Sequence, residues 1–79
     1  MCQASPKFKV STLIKNFVLT KRPYAEEAAE YGFEMYTDPE TVAEGFLAMH
    51  GEKEFSTILD KALVGKPDMR LLAKEFFGV

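Results

Sequence analysis

The sequence predicts a small all-α protein, a single-domain bundle of about four to five short helices. Apolar residues recur at three- and four-residue spacing along most of the chain, and proline and glycine separate these stretches at short intervals. The 47% hydrophobic and 28% charged content is typical of a folded chain. Because 79 residues allow only one modest core, we expect a single domain over 1–79.

The first 22 residues contain one stretch in which apolar residues recur at helical spacing. Residues 1–6 carry no periodic apolar pattern, so we expect them to form a flexible N-terminal end. A helix is predicted from about Ser11 to Leu19. It rests on helical spacing in Val10, Leu13, Ile14, Phe17 and Val18. Residues 7–12 also alternate between polar and apolar, which leaves a short strand there as the alternative.

A second helix is predicted from Tyr24 to about Tyr36, opened by Pro23. Its inward face is predicted from one set of residues at helical spacing, Tyr24, Ala28, Tyr31 and Met35. An acidic stripe lies on the opposite face and consists of Glu27, Glu30 and Glu34. Gly32 interrupts the pattern, and it either allows another backbone to approach closely or ends the helix there.

The stretch from Thr37 to Gly65 is predicted to form two amphipathic helices joined at Gly51. Thr37 or Asp38 is the expected cap, Thr37 and Glu40 have capping-box spacing, and Pro39 suits the first turn. The apolar faces of the two helices are Val42, Ala43, Phe46, Leu47 and Met49, followed by Phe55, Ile58, Leu59, Ala62 and Leu63. Gly51 and Gly65 are residues that can adopt the left-handed conformation at a helix end.

A last helix is predicted to start at Pro67 and to end at Gly78. Its inward face is predicted to consist of Met69, Leu72, Ala73, Phe76 and Phe77. Leu71 falls off this face, as Leu19 falls off the face of the first helix. Each is either an ordinary exposed apolar residue or part of a contact surface.

The sequence offers little for catalysis. It has one histidine, His50, and one cysteine, Cys2, and it contains no phosphate-binding loop, dinucleotide fingerprint or nucleophile elbow. His50 precedes Gly51, where a structural contact with free helix-end carbonyls is expected. We therefore expect a non-enzymatic protein with no catalytic, cofactor-binding or metal site and no small-molecule substrate.

Charge is strongly separated along the chain. Residues 1–22 contain five Lys/Arg and no acid, whereas residues 23–56 contain nine acids and one lysine. Together with the lack of catalytic groups, this separation favours a protein–protein interaction module, an adaptor, inhibitor or assembly subunit, that is able to form homo-oligomers. The expected partner-binding residues are Lys9, Lys15, Lys21, Arg22, Glu27, Glu30 and Glu34.

The alternative is a nucleic-acid-associated protein that binds through the basic N-terminal region. The acidic middle region could in turn mimic a phosphate backbone. No apolar run approaches the length needed to span a bilayer, and residues 1–6 lack the apolar core of a signal peptide. We therefore expect no membrane span and a cytoplasmic location.

Overall fold

A computed structural model describes residues 5–79, which form four α-helices and no strand. The helices are α1 (Pro6–Thr20), α2 (Tyr24–Glu30), α3 (Pro39–Ala62) and α4 (Pro67–Phe77). The all-α bundle predicted from the sequence is confirmed. Cys2 and the other residues of 1–4 lie outside the described range, as does most of the expected flexible end.

Helix α1 begins at Pro6, five residues before the predicted start. The hydroxyl of Ser5 accepts a hydrogen bond from the N–H of Phe8 at 3.1 Å, and Pro6 occupies the first turn. This cap makes residues 7–12 helical, so the strand alternative is wrong for this segment. The polar–apolar alternation of residues 7–12 does not correspond to two faces of a strand, because the apolar Phe8 and the polar Lys9 are both exposed on the helix.

Helix α2 ends at Glu30, although the acidic periodicity predicted a helix to about Tyr36. Gly32 has a φ of 78° and the N–H of Phe33 donates to the carbonyl of Ala28, so the glycine terminates the helix. The second of the two roles considered for Gly32 is therefore correct. As a consequence Tyr31 and Met35 do not point inward, because they are 59% and 75% exposed.

Helix α3 contains the two predicted segments. At Gly51 the backbone leaves helical geometry, with φ 86° and ψ 168°, so the helix is kinked there. The carboxylate of Asp38 caps the start by accepting from the N–H of Thr41 at 3.2 Å. The predicted pairing of Thr37 with Glu40 is wrong, because the Thr37 hydroxyl accepts from the N–H of Glu34 instead.

The core lies where α1 crosses α3, with α2 and α4 packed against α1. Its buried apolar residues are Val10, Ile14, Val18, Ala28, Val42, Ala43, Phe46, Phe55, Ile58, Leu59, Leu63 and Ala73. Leu19 is half-buried against this core, contrary to its predicted outward position, whereas Leu71 is exposed as predicted. Phe76, predicted to point inward, is 36% exposed.

Helix α4 starts with Pro67 in its first turn and ends at Gly78, which is left-handed, as predicted. Among the helices of residues 5–79, none combines the length and the apolar character that a bilayer crossing requires.

Candidate functional site

An open apolar groove of about 410 Å³ lies between the first half of α1 and the start of α4. It is lined by Phe8, Lys9, Thr12, Leu13, Lys66 and Met69. On α1, Phe8 lies one turn before Thr12 and Lys9 one turn before Leu13, so four-residue spacing places all four on adjoining rows. Phe8 is 38% exposed, while Leu13 and Met69 are half-buried.

The rim of this lysine-rimmed groove is cationic. Lys9 and Lys66 are exposed, and within residues 5–79 neither forms an ion pair. None of the lining residues is acidic. The groove therefore presents an apolar floor between two exposed lysines that form no ion pair within the described part of the chain.

Lys7 does not contribute to this rim. Its Nζ lies 2.9 Å from Glu44 Oε2 on α3 and 3.9 Å from Glu40 Oε1. The hydrogen bond to Glu44 raises the pKa of Lys7 above its ordinary value. The same ammonium group lies 5.8 Å from the ring centroid of Phe77 on α4, so it links three helices.

Residues 30–36 form a second exposed region, which we call the acidic aromatic segment. Tyr36 is 92% exposed, more than Tyr31 and Met35, and the acids Glu30 and Glu34 are also exposed. Large apolar side chains this exposed commonly mark contact surfaces when they are grouped together.

Contacts with α1 and α3 fix the backbone around the acidic aromatic segment. The ammonium group of Lys15 donates to the carbonyls of Met35 and Thr37, and the ring of Phe33 lies 6.0 Å from that of Phe46. A smaller cavity of about 260 Å³ separates this loop from the second half of α1. These contacts fix the loop backbone while Tyr31, Met35 and Tyr36 remain exposed.

His50 lies between two carboxylates from different helices. Its Nδ1 is 3.0 Å from Glu54 Oε2 one turn along α3, and its Nε2 is 2.6 Å from Glu27 Oε1 on α2. The imidazole ring stacks on the ring of Phe46, with 5.5 Å between the two centroids. The His50 side chain is only 15% exposed. His50 thus joins α2 to α3 through carboxylates, whereas the sequence predicted contacts with helix-end carbonyls.

The contact with Glu27 is close but poorly aligned. Nε2 is buried and, within residues 5–79, has no hydrogen-bond partner in favourable geometry, although the distance itself would permit one. The two side chains are therefore in close contact without an aligned hydrogen bond. The two carboxylates face opposite ring nitrogens, and the described residues contain no group of three or more His, Cys, Asp or Glu suited to a metal ion.

The seven residues predicted to bind a partner do not lie on one surface. Lys9 is at the rim of the groove, Lys15 supports the 31–38 loop, and Glu27 contacts His50. The other four are exposed at two further places. Lys21 and Arg22, which forms an ion pair with Glu26 at 3.8 Å, lie between α1 and α2, and Glu30 and Glu34 lie in the acidic aromatic segment.

Of the six residues that line the groove, only Lys9 is among the predicted partner-binding residues. Met69 was predicted to be on the inward face of its helix, and nothing in the sequence marked Lys66 as a neighbour of Lys9. The spacing of His50 and Glu54, four residues apart on one helix, could have indicated their pairing. No family model matches the chain, and no curated protein or solved structure matches it significantly.

Proposed function

We propose that the protein is a small, non-enzymatic protein–protein interaction module, an adaptor, inhibitor or assembly subunit, whose contact surface is the lysine-rimmed groove. One observation carries the proposal: an apolar floor made by Phe8, Leu13 and Met69 lies between two exposed lysines that have no acidic neighbour in the lining. The partner that fits is an acidic amphipathic segment of a protein.

The physical argument has two parts. Covering the floor removes apolar surface from water, which is worth about 25 cal/mol per Å² and supplies the affinity. Lys9 and Lys66 attract acids that flank the apolar side of the partner, and they disfavour a basic partner with the same apolar side. A helix laid in a groove is a common way of meeting both requirements.

Binding of nucleic acid through the basic N-terminal region has weaker support. Lys7 and Lys15 are engaged with acids or carbonyls of the same chain, and Arg22, although 87% exposed, lies 3.8 Å from Glu26 in a surface ion pair. Lys9 and Lys21 remain as exposed lysines of that region, and each phosphate contact needs its own cation. The protein-binding proposal is therefore preferred, and nucleic acid becomes an outcome of its test.

The test is a titration of the isotope-labelled protein, followed by NMR chemical shifts, with two designed amphipathic peptides. Both peptides have the same apolar face, but one carries glutamates and the other carries lysines at its flanking positions. We expect the acidic peptide to shift the amide signals of Phe8, Leu13 and Met69 in a saturable way, and the basic peptide to leave them unchanged.

The matched control is the double variant Lys9→Glu/Lys66→Glu. Both positions lie at or near a helix N-terminus, where an acid is favourable, so the fold should be kept while the preference for peptide charge reverses. Equal binding of both peptides, or shifts confined to other surfaces, contradicts the proposal. Saturable shifts at Lys9 and Lys21 with duplex DNA instead support the nucleic-acid function.

A further inference from the structure

We infer that the occupant of the lysine-rimmed groove is the acidic aromatic segment of a second copy of this chain. The inference rests on the proposed function of the groove and adds the identity of the partner. It starts from the two exposed surfaces, which have opposite charge and each have an apolar centre. Two lysines border the groove, and two glutamates border the segment.

The apolar parts of the two surfaces also complement each other. The segment projects Tyr36, Met35 and Tyr31, which are 92%, 75% and 59% exposed, while the open groove of about 410 Å³ offers an apolar floor. Tyrosine is among the residues that contribute most strongly when buried at the centre of an interface. Methionine adapts to irregular apolar surfaces because its side chain is unbranched.

The segment is already ordered in the single chain. The ammonium group of Lys15 holds two loop carbonyls, the Thr37 hydroxyl accepts from the N–H of Glu34 at 2.9 Å, and Phe33 packs against the core. Because the loop backbone is fixed before contact, little conformational entropy remains to be lost on binding. A loop held in this way presents the exposed side chains of Tyr31, Met35 and Tyr36 to a partner.

In this contact the acidic aromatic segment of one copy binds the lysine-rimmed groove of the next copy. Because two different surfaces meet, the contact is heterologous. The segment is tied to the second half of α1 through Lys15, and the groove is formed by the first half of α1 with α4. These are different patches on one bundle, and a contact between them requires a second copy. Heterologous contacts produce rings or extended chains, so the mean mass should rise with protein concentration.

The experiment is a charge swap followed by sedimentation velocity over a wide range of concentration. The groove variant is Lys9→Glu/Lys66→Glu, and the segment variant is Glu30→Lys/Glu34→Lys. Each variant alone places like charges against each other, so its self-association should weaken by about tenfold or more. An equimolar mixture restores opposite charges at every contact, so it should associate as the unmodified protein does.

Two controls of the same type use exposed positions outside both surfaces. They are Lys61→Glu/Lys74→Glu and Glu52→Lys/Glu75→Lys. Both controls should associate like the unmodified chain. Replacement of Tyr36 by Ser should weaken association by about tenfold, whereas Leu71→Ser, at another exposed apolar position, should not.

An unmodified protein that is monomeric at every concentration overturns the inference. Variants that associate like the unmodified chain, or a mixture that remains monomeric, do the same. These results leave the groove function intact if the acidic designed peptide still binds there. Failure of that peptide to bind, together with unchanged association of the groove variant, removes both the function and the inference.

Discussion

Replacement of Gly45 by Ala should destabilise the protein, although alanine is the better helix former. Gly45 lies within α3, opposite the ring of Phe33 from the 31–38 loop. A Cβ at position 45 would lie 2.3 Å from Cζ of Phe33 and 2.9 Å from its Cε2. Since carbon atoms in contact prefer about 3.5–4.0 Å, the ring would have to retreat by more than 1 Å.

The magnitude follows from two opposing contributions. Alanine gains about 1 kcal/mol over glycine in a helix interior. Overpacking of a well-packed site typically costs about 1–3 kcal/mol, and a contact as short as 2.3 Å places the cost at about 2–3 kcal/mol, in the upper half of that range. The ring of Phe33 packs on that of Phe46, whose centroid is 6.0 Å away, so a retreat from position 45 disturbs this contact. We expect a net loss of about 1–2 kcal/mol in the free energy of unfolding.

The assay is a double-mutant cycle by urea denaturation with Gly45→Ala, Phe33→Ala and the double variant. Once the ring is removed, the new methyl group meets open space, so only the helix propensity remains. Gly45→Ala should therefore stabilise the Phe33→Ala background by about 1 kcal/mol. The coupling energy between the two positions should be about 2–3 kcal/mol.

A change of sign between the two backgrounds is the distinctive result. If Gly45→Ala stabilises the unmodified chain, the loop absorbs the methyl group without cost and the packing argument is refuted. If it destabilises both backgrounds equally, the cost arises in α3 itself and Phe33 is not its cause. Two-state analysis applies if the urea unfolding transitions followed by fluorescence and by circular dichroism coincide.

Three further predictions concern single side chains. Ser11→Ala should stabilise the protein by about 1 kcal/mol in urea denaturation, because the buried Ser11 hydroxyl has no hydrogen-bond partner within residues 5–79 and alanine favours the helix; a loss of stability would mean that the hydroxyl has a partner. His50→Ala should cost about 1–3 kcal/mol because it removes the link between α2 and α3. Glu54→Gln changes only the exposed contact within α3 and should cost less than about 0.5 kcal/mol; a cost equal to that of His50→Ala would contradict the assignment. For Lys7, the folded-state pKa is raised above 10.5 by Glu44, so its contribution is present below that pH and is lost as pH rises through the folded value. The stability difference between Lys7→Met and the unmodified chain should accordingly shrink above about pH 10.5, and a constant difference would refute it.

Helix ends that depend on local chemistry were predictable from the sequence. The Asp38–Pro39 and Pro67 starts and the Gly78 end each combine a residue type with its position in the helix, and no distant contact is needed to read them. The start of α1 had an equally local signal in Ser5–Pro6. The helix was predicted only from about Ser11, because the polar–apolar alternation around Phe8 left a short strand as the alternative for residues 7–12.

The length of α2 was not predictable in the same way. Glu27, Glu30 and Glu34 keep helical spacing across Gly32, but charged residues on a solvent-facing side need no burial and so do not define where a helix ends. The tertiary contacts of Phe33 and Lys15 decide the path of residues 31–38. These contacts leave Tyr31 and Met35 exposed, and no pattern within the segment encodes them.

The charge separation in the sequence overstates the charge available for binding. Lys7 and Lys15 are engaged within the fold, so of the five bases of residues 1–22 only Lys9, Lys21 and Arg22 are exposed, and Arg22 forms a surface ion pair with Glu26. If the complete basic and acidic regions faced a partner, added salt would abolish binding. With two charges on each side of an apolar contact, salt should weaken association only a few fold and should not eliminate it. A steep loss of association with salt would therefore mean that the engaged side chains are released on contact, and that the groove is not the main surface.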